Sequence, residues 1–211
     1  RRQRQMCIRD RDQGGRAWSC LYQGDPTPPE GNLYRPEHFQ NRYRDIHDLD
    51  IRAILQFVDG AYKQGVSNSY SSIATWALVR TDGGAMRLAL LDMWRDKVPY
   101  DALELAVKDQ WTKWTRPGQP AEVHIEDKAS GQSLLQTLKN HTMVPVIPWK
   151  PPTGASKESR AEDSLPPFRA GLVLLPAHAP WLAAWIDEHR AFPAGSFNDQ
   201  VDTTSMAVSA V

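Results

Sequence analysis

Apolar positions in this chain follow two rhythms. Ile51–Asp59 is a nearly unbroken apolar run of strand length that closes on an acid. Tyr70–Arg80, with Ile73 and Trp76 among β-branched and aromatic neighbours, predicts a second strand. Thr81–Gly84 carries a hairpin-turn signal, so Ala85–Trp94 is expected as a third strand antiparallel to the second. The period then changes. Leu103, Ala106, Val107, Gln110, Trp111 and Trp114 recur at helical spacing over Asp101–Trp114. Glu122–Glu126 alternates, with Val123 and Ile125 on one face and His124 and Glu126 on the other. Gly131–Asn140 predicts a helix carrying Leu134, Leu135 and Leu138, and Val144–Pro148 a short strand.

Strand–helix–strand implies a parallel pair joined by a right-handed crossover. Lys150–Arg169, rich in proline, serine and charge, predicts one short helix at Lys157–Asp163. Leu172–Leu175 is a further apolar run. Pro180–Arg190 and Asp199–Val211 predict two closing helices. A three-strand meander followed by α/β units gives an α/β fold, a mixed sheet with helices on both sides. This is the strand order of the ribonuclease H-like fold, and order alone assigns no function.

Asp25–Gly31 is a proline-rich break, and residues 1–47 are expected as an N-terminal arm or linker before a domain spanning 48–211. There is no initiating Met. Arg1–Arg16 is basic without apolar periodicity, and Met6–Arg11 resembles a translated sequencing adapter, so these first residues are expected to be non-native. Read otherwise, the run is a basic nucleic-acid-binding arm.

Twenty-five Lys and Arg balance 25 Asp and Glu, so net charge gives no signal for nucleic acid, and any such reading rests on local patches. Cys7 and Cys20 form neither a disulfide framework nor a zinc pattern. No run reaches the apolar length of a membrane span.

The chemistry lies in the acids. Asp59 ends one strand, Glu126 and Asp127 end another, and Asp199 and Asp202 open the last helix. They are far apart in sequence and can meet only through the fold. Gathered at one sheet edge, such carboxylates make an oxygen-rich site for a hard divalent cation, suited to phosphodiester hydrolysis. Each also has a plainer reading: Asp59 as a turn residue, Glu126 as loop charge, Asp199 as a first-turn helix acid. Asp127 points to the opposite strand face and ranks behind Glu126. His124 reads as a half-buried structural histidine, and Trp111, Trp114, Trp181 and Trp185 as core.

Five segments in order resemble the C-terminal nuclease domain of tailed-phage terminase large subunits, the DNA-packaging motor proteins. They are Leu21–Gly31; Gln56–Ala61 with Asn68–Ser71; Ile125–Gly131; Lys157–Arg160 with Ala170–Pro176; and Phe192–Asp202. The likeness runs from Ala17 onward. It implies a catalytic triad of Asp59, Glu126 and Asp199, with Asp202 as an additional metal ligand. It also implies a two-metal Mg2+ or Mn2+ site, double-stranded DNA as substrate, and cuts that start and end genome packaging in the host bacterial cytoplasm. The implied partners are the portal protein, the small terminase subunit and an ATPase domain in cis. No Walker A pattern occurs in the chain. Lys128, Lys157 and Arg160 become candidate phosphate contacts.

Two positions depart from the family pattern. Asn198 stands where the first acid of a pair is usual, and Phe197 where a histidine is usual. Two other readings follow: a DNA-gripping or portal-docking module with weak or no cleavage, and a Holliday-junction resolvase-like nuclease.

Overall fold

The computed structural model describes residues 33–60 and 69–211. The basic arm, both cysteines, the proline-rich break and the Ala61 to Asn68 part of the first strand motif lie outside the described residues.

Seven strands form one mixed sheet in the order β1-β7-β4-β3-β2-β5-β6. They are β1 (Arg42–Tyr43), β2 (Asp50–Asp59), β3 (Ser71–Arg80), β4 (Met86–Asp96), β5 (Glu122–Glu126), β6 (Val146–Trp149) and β7 (Val173–Pro176). Six helices accompany them: α1 (Tyr100–Trp114), α2 (Ala129–His141), α3 (Lys157–Asp163), α4 (Leu165–Arg169), α5 (Leu182–Ala191) and α6 (Asp199–Ser209). The order β4-β3-β2-β5-β6 is the ribonuclease H-like arrangement expected from the sequence. β2, β3 and β4 form an antiparallel meander, while β5 joins β2, and β6 joins β5, in parallel.

β2 is apolar on both faces because the central strand is covered on both. Leu55 and Phe57 enter the larger core, beneath α3, α4, α5 and α6. Val58 faces the other core, with Leu103 and Val107 of α1 and Leu134, Leu135 and Leu138 of α2. Helices therefore lie on both sides of the sheet.

The predicted elements fall within two residues of their observed ends. Among the strands and α-helices of the described residues, two had no sequence expectation. α4 opens on Leu165 followed by two prolines, which suit a first helical turn where N–H groups lack partners anyway. β1 is only two residues long and pairs with β7 at the sheet edge. The stretch before Asp48, expected as linker, carries part of the larger core. Tyr34 and Phe39 are buried, and their rings pack around Phe168, Trp185 and His189. Trp185 is fully buried, whereas Trp111, Trp114 and Trp181 pack at core margins.

Candidate active site

Asp59 is the last residue of β2. Its neighbour on β3 is Ser72, and on the other side Val58 lies opposite Ile125 of β5. Asp59 and Glu126 are therefore the next residues in register at adjacent, parallel strand ends. Gly131 holds Glu126 in place from α2. A Cβ at position 131 would stand 2.0 Å from the Glu126 carbonyl oxygen, so only glycine lets this helix start so close to the strand end.

The N-terminus of α6 arrives over the same edge. Ser72 Oγ donates to the Asp199 carbonyl at 2.9 Å, tying the helix start to the strand beside Asp59. Asn198 gives α6 no side-chain cap. Glu188 of α5 serves instead: its carboxylate accepts from the Gln200 backbone N–H and from Gln200 Nε2, each at 2.7 Å. A buried acid thus satisfies a first-turn donor where the helix dipole favours negative charge.

Asp199 and Asp202 are both nearly buried, at 8% and 7% exposure, and they meet different cations. Arg95 NH2 bridges Asp199 at 3.3 Å and Glu188 at 3.2 Å. Asp202 accepts from Arg160 NH2 at 3.1 Å and is in contact with Lys157 Nζ. Lys157 Nζ also donates to Asn198 Oδ1 at 2.9 Å. Arg160, itself buried, reaches across to Glu126 at 3.5 Å, and Lys128 lies 2.6 Å from the same Glu126 oxygen. Asp202 is thus linked to Glu126 through one guanidinium.

Asp59 feels this crowding. Burial pushes its carboxyl up from 3.8 to about 7; Asp202, Glu126 and Asp199 add to the rise, and Lys157 opposes it. Burial works against the charge of Lys157, but Asp202 and Asp59 outweigh it and hold the ammonium above its usual range. Burial also raises Glu188, against the bonds from Gln200.

The fold thus brings Asp59, Glu126, Asp199 and Asp202 to one sheet edge, together with Lys128, Lys157 and Arg160. In this arrangement Glu126, Asp199 and Asp202 are shared out among cations, and among the described residues no three acidic, His or Cys side chains stand as a metal-holding group. Asp127 turns to Lys150 at 3.6 Å and to Gln132 at 3.3 Å. His124 stacks on Phe57 and pairs with Glu122.

Sequence reasoning missed Ser72, Arg95 and Glu188. A serine in a strand, an arginine near a strand end and a glutamate on a helix carry no local signal. Their roles come from contacts with residues distant in the chain.

No protein-family model and no curated protein matches the chain. Solved structures do. The large terminase nuclease of thermophilic phage G20c with bound cobalt is 15% identical, with TM-score 0.59, covering 86% of this chain and 98% of that one. The same nuclease was also crystallised with bound zinc and with bound magnesium. The large terminase nuclease domain of Thermus phage P74-26 is 15% identical, with TM-score 0.55, covering 85% and 94%. The human cytomegalovirus terminase nuclease domain is 12% identical, with TM-score 0.50, covering 80% and 88%. At such identities the likeness lies in the backbone: this chain has the α/β, ribonuclease H-like fold of terminase nuclease domains.

Proposed function

We propose that this domain is a divalent-metal-dependent endonuclease that hydrolyses phosphodiester bonds of double-stranded DNA. It would make the initiating and terminating cuts of genome packaging as the nuclease part of a large terminase subunit. Its partners in that role would be an ATPase domain, the portal protein and the small subunit, in the host cytoplasm. One observation carries the reading. Four carboxylates from three separate segments of the chain converge on one edge of a sheet whose fold is shared with terminase nucleases.

Asp59, Glu126 and Asp199 are the proposed catalytic acids, and with Asp202 the proposed ligands of Mg2+ or Mn2+ in a two-metal site. The donor chemistry fits. All four offer carboxylate oxygens, as hard cations require, and the buried Glu126 Oε1 is held by the Lys128 ammonium and the Arg160 guanidinium, where positive charge is already favoured. Bound there, such ions supply water activation and neutralisation of the leaving 3′-oxygen.

The chain's own residues account for the rest. Arg160 spans Glu126 and Asp202 and fixes their spacing. Arg95, Glu188 and Ser72 fix the α6 terminus that bears Asp199. Lys157 and Lys128 have half-exposed side chains and can turn from carboxylate to DNA phosphate. Asp59, partly protonated near neutral pH, gives up its proton when positive charge enters the site.

Purified protein with Mg2+ or Mn2+ is expected to nick and linearise supercoiled plasmid, and EDTA to stop it. Absence of cutting with both metals over a broad protein range refutes the proposal. Asn198 and the pairing of Glu126, Asp199 and Asp202 with cations favour a second reading, a DNA-gripping module with weak cleavage. That reading predicts salt-dependent DNA binding without metal-dependent cutting.

A further inference from the structure

The same sheet edge carries a second cluster, joined to the first by Arg95, whose rings and lysine the proposed hydrolysis leaves unused. Tyr70 precedes β3, Arg95 and Lys97 lie at the end of β4, and Phe197 precedes α6. The register Ser71–Asp96 and Ser72–Arg95 sets these strand ends together, beside Asp59 opposite Ser72. The Tyr70 and Phe197 rings meet edge-on with centroids 5.1 Å apart. The Arg95 guanidinium lies 3.8 Å from the Tyr70 centroid and 4.9 Å from that of Phe197. Lys97 Nζ lies 4.7 Å and 5.8 Å from the same rings.

This cluster is not closed. Phe197 is 42% exposed although it has no polar group to satisfy in water, and Lys97 is exposed. Arg95 is occupied by Asp199 and Glu188. Lys97 has no carboxylate partner among the described residues, so its charge is available. An open aromatic face next to an unneutralised cation is complementary to a nucleobase and its phosphate, since every base has a π-face and stacking is sequence-tolerant. A base inside a paired duplex keeps both faces covered, so the occupant must be unpaired. Arg95 ties this platform directly to Asp199.

We propose that Phe197, braced edge-on by Tyr70, is a stacking platform for an unpaired nucleobase of the DNA strand beside the cut, with Lys97 neutralising an adjoining phosphate. The inference rests on the nuclease reading for the identity of its ligand and deepens it. The domain would engage DNA whose pairing is locally opened in preference to intact duplex.

The test uses the full chain in EDTA, so that binding is read without cleavage. Fluorescence anisotropy compares a fully paired duplex with the same duplex carrying a short bulge that contains 2-aminopurine. Wild type is expected to bind the bulged duplex more tightly and to quench the 2-aminopurine. Phe197→Ala, a change at an exposed position, should weaken bulge binding by roughly fivefold or more and abolish the quench. Affinity for the paired duplex should change by less than about twofold, because phosphate contacts dominate there. Phe197→Trp should restore the quench. Lys97→Met should lower the salt dependence of binding by about one phosphate contact. Equal bulge binding and quenching by wild type and Phe197→Ala overturns the platform and assigns the exposed ring to a protein contact, while metal-dependent plasmid cutting keeps the nuclease reading. Failure of wild type to bind either DNA in EDTA overturns the platform, whereas absence of metal-dependent plasmid cutting overturns the nuclease reading.

Discussion

Replacing Asp59 by asparagine should make the metal-free protein more stable at alkaline pH, and the structure gives the size of the gain. Asp59 sits where burial, Asp202, Glu126 and Asp199 all disfavour its charge, and its carboxyl is pushed up from 3.8 to about 7. A carboxyl raised on folding contributes fully below its unfolded value, and that contribution disappears as pH climbs through the folded value. The metal-free wild type should therefore lose stability from Asp59 between about pH 4 and pH 8. A rise of this size corresponds to a ceiling of about 4 kcal/mol, and relaxation of Lys157 and Arg160 around the charge would reduce it to about 2. The asparagine variant has no proton to lose, so the two proteins should match below about pH 3.5 and diverge above it. Urea unfolding in EDTA at several pH values measures this, and taking the difference between the two proteins cancels every other titrating group. In thermal melts the gap should appear as about 2–4 °C per kcal/mol for a domain of this size. Divalent metal should reverse the ranking, because only the wild type would gain full binding energy. A pH-independent difference, or a variant less stable than wild type at pH 8 in EDTA, refutes the account of a crowded acid cluster.

The remaining expectations concern the same edge. Glu126→Gln, Asp199→Asn and Asp202→Asn should each cut plasmid cleavage at least about a hundredfold with the far-UV circular dichroism unchanged, whereas Asp127→Asn should stay near wild type because its carboxylate faces Lys150. Gly131→Ala should destabilise by about 1–3 kcal/mol in urea and reduce cleavage as well, since its methyl group must displace the Glu126 carbonyl. Glu188→Ala should cost about 1–2 kcal/mol by uncapping α6 and leaving Arg95 with one acid, and Glu188→Gln should recover part of that stability through its retained acceptor oxygen.

Much of the sheet is legible in local periodicity. β2 reads as a two-sided apolar strand, and the Thr81–Gly84 turn fixes the hairpin of β3 and β4. The strand–helix–strand pattern fixes β5 and β6 as a parallel pair. What escapes is whatever depends on long-range contact. Tyr34 looks like a linker residue until Ser164 bonds its hydroxyl and Phe168 meets its ring. Arg160 reads as a candidate phosphate contact, yet it is buried between two acids from different elements. Local spacing puts Asp199 and Asp202, three residues apart, on one helix face. Only the packing of α6 against the β3–β4 end and α3 gives the first to Arg95 of β4 and the second to Arg160 of α3. Glu188 is the plainest case: nothing in Leu182–Ala191 distinguishes a helix cap for a different helix from an ordinary solvated acid.

The bond from Ser72 to the Asp199 carbonyl spans 127 positions of the chain. The two acids on β2 and β5 are brought together by a meander and a single crossover, whereas α6 must return from far down the chain to complete the edge. The entropy of closing a loop grows only logarithmically with its length, so the reach costs little at equilibrium. Its effect falls on timing. Contacts of such separation form late, after the local hairpin and crossover have made the sheet on which they land. The acid cluster is thus complete only once α6 has docked on the sheet, and during synthesis the strands emerge before the helix that closes this edge.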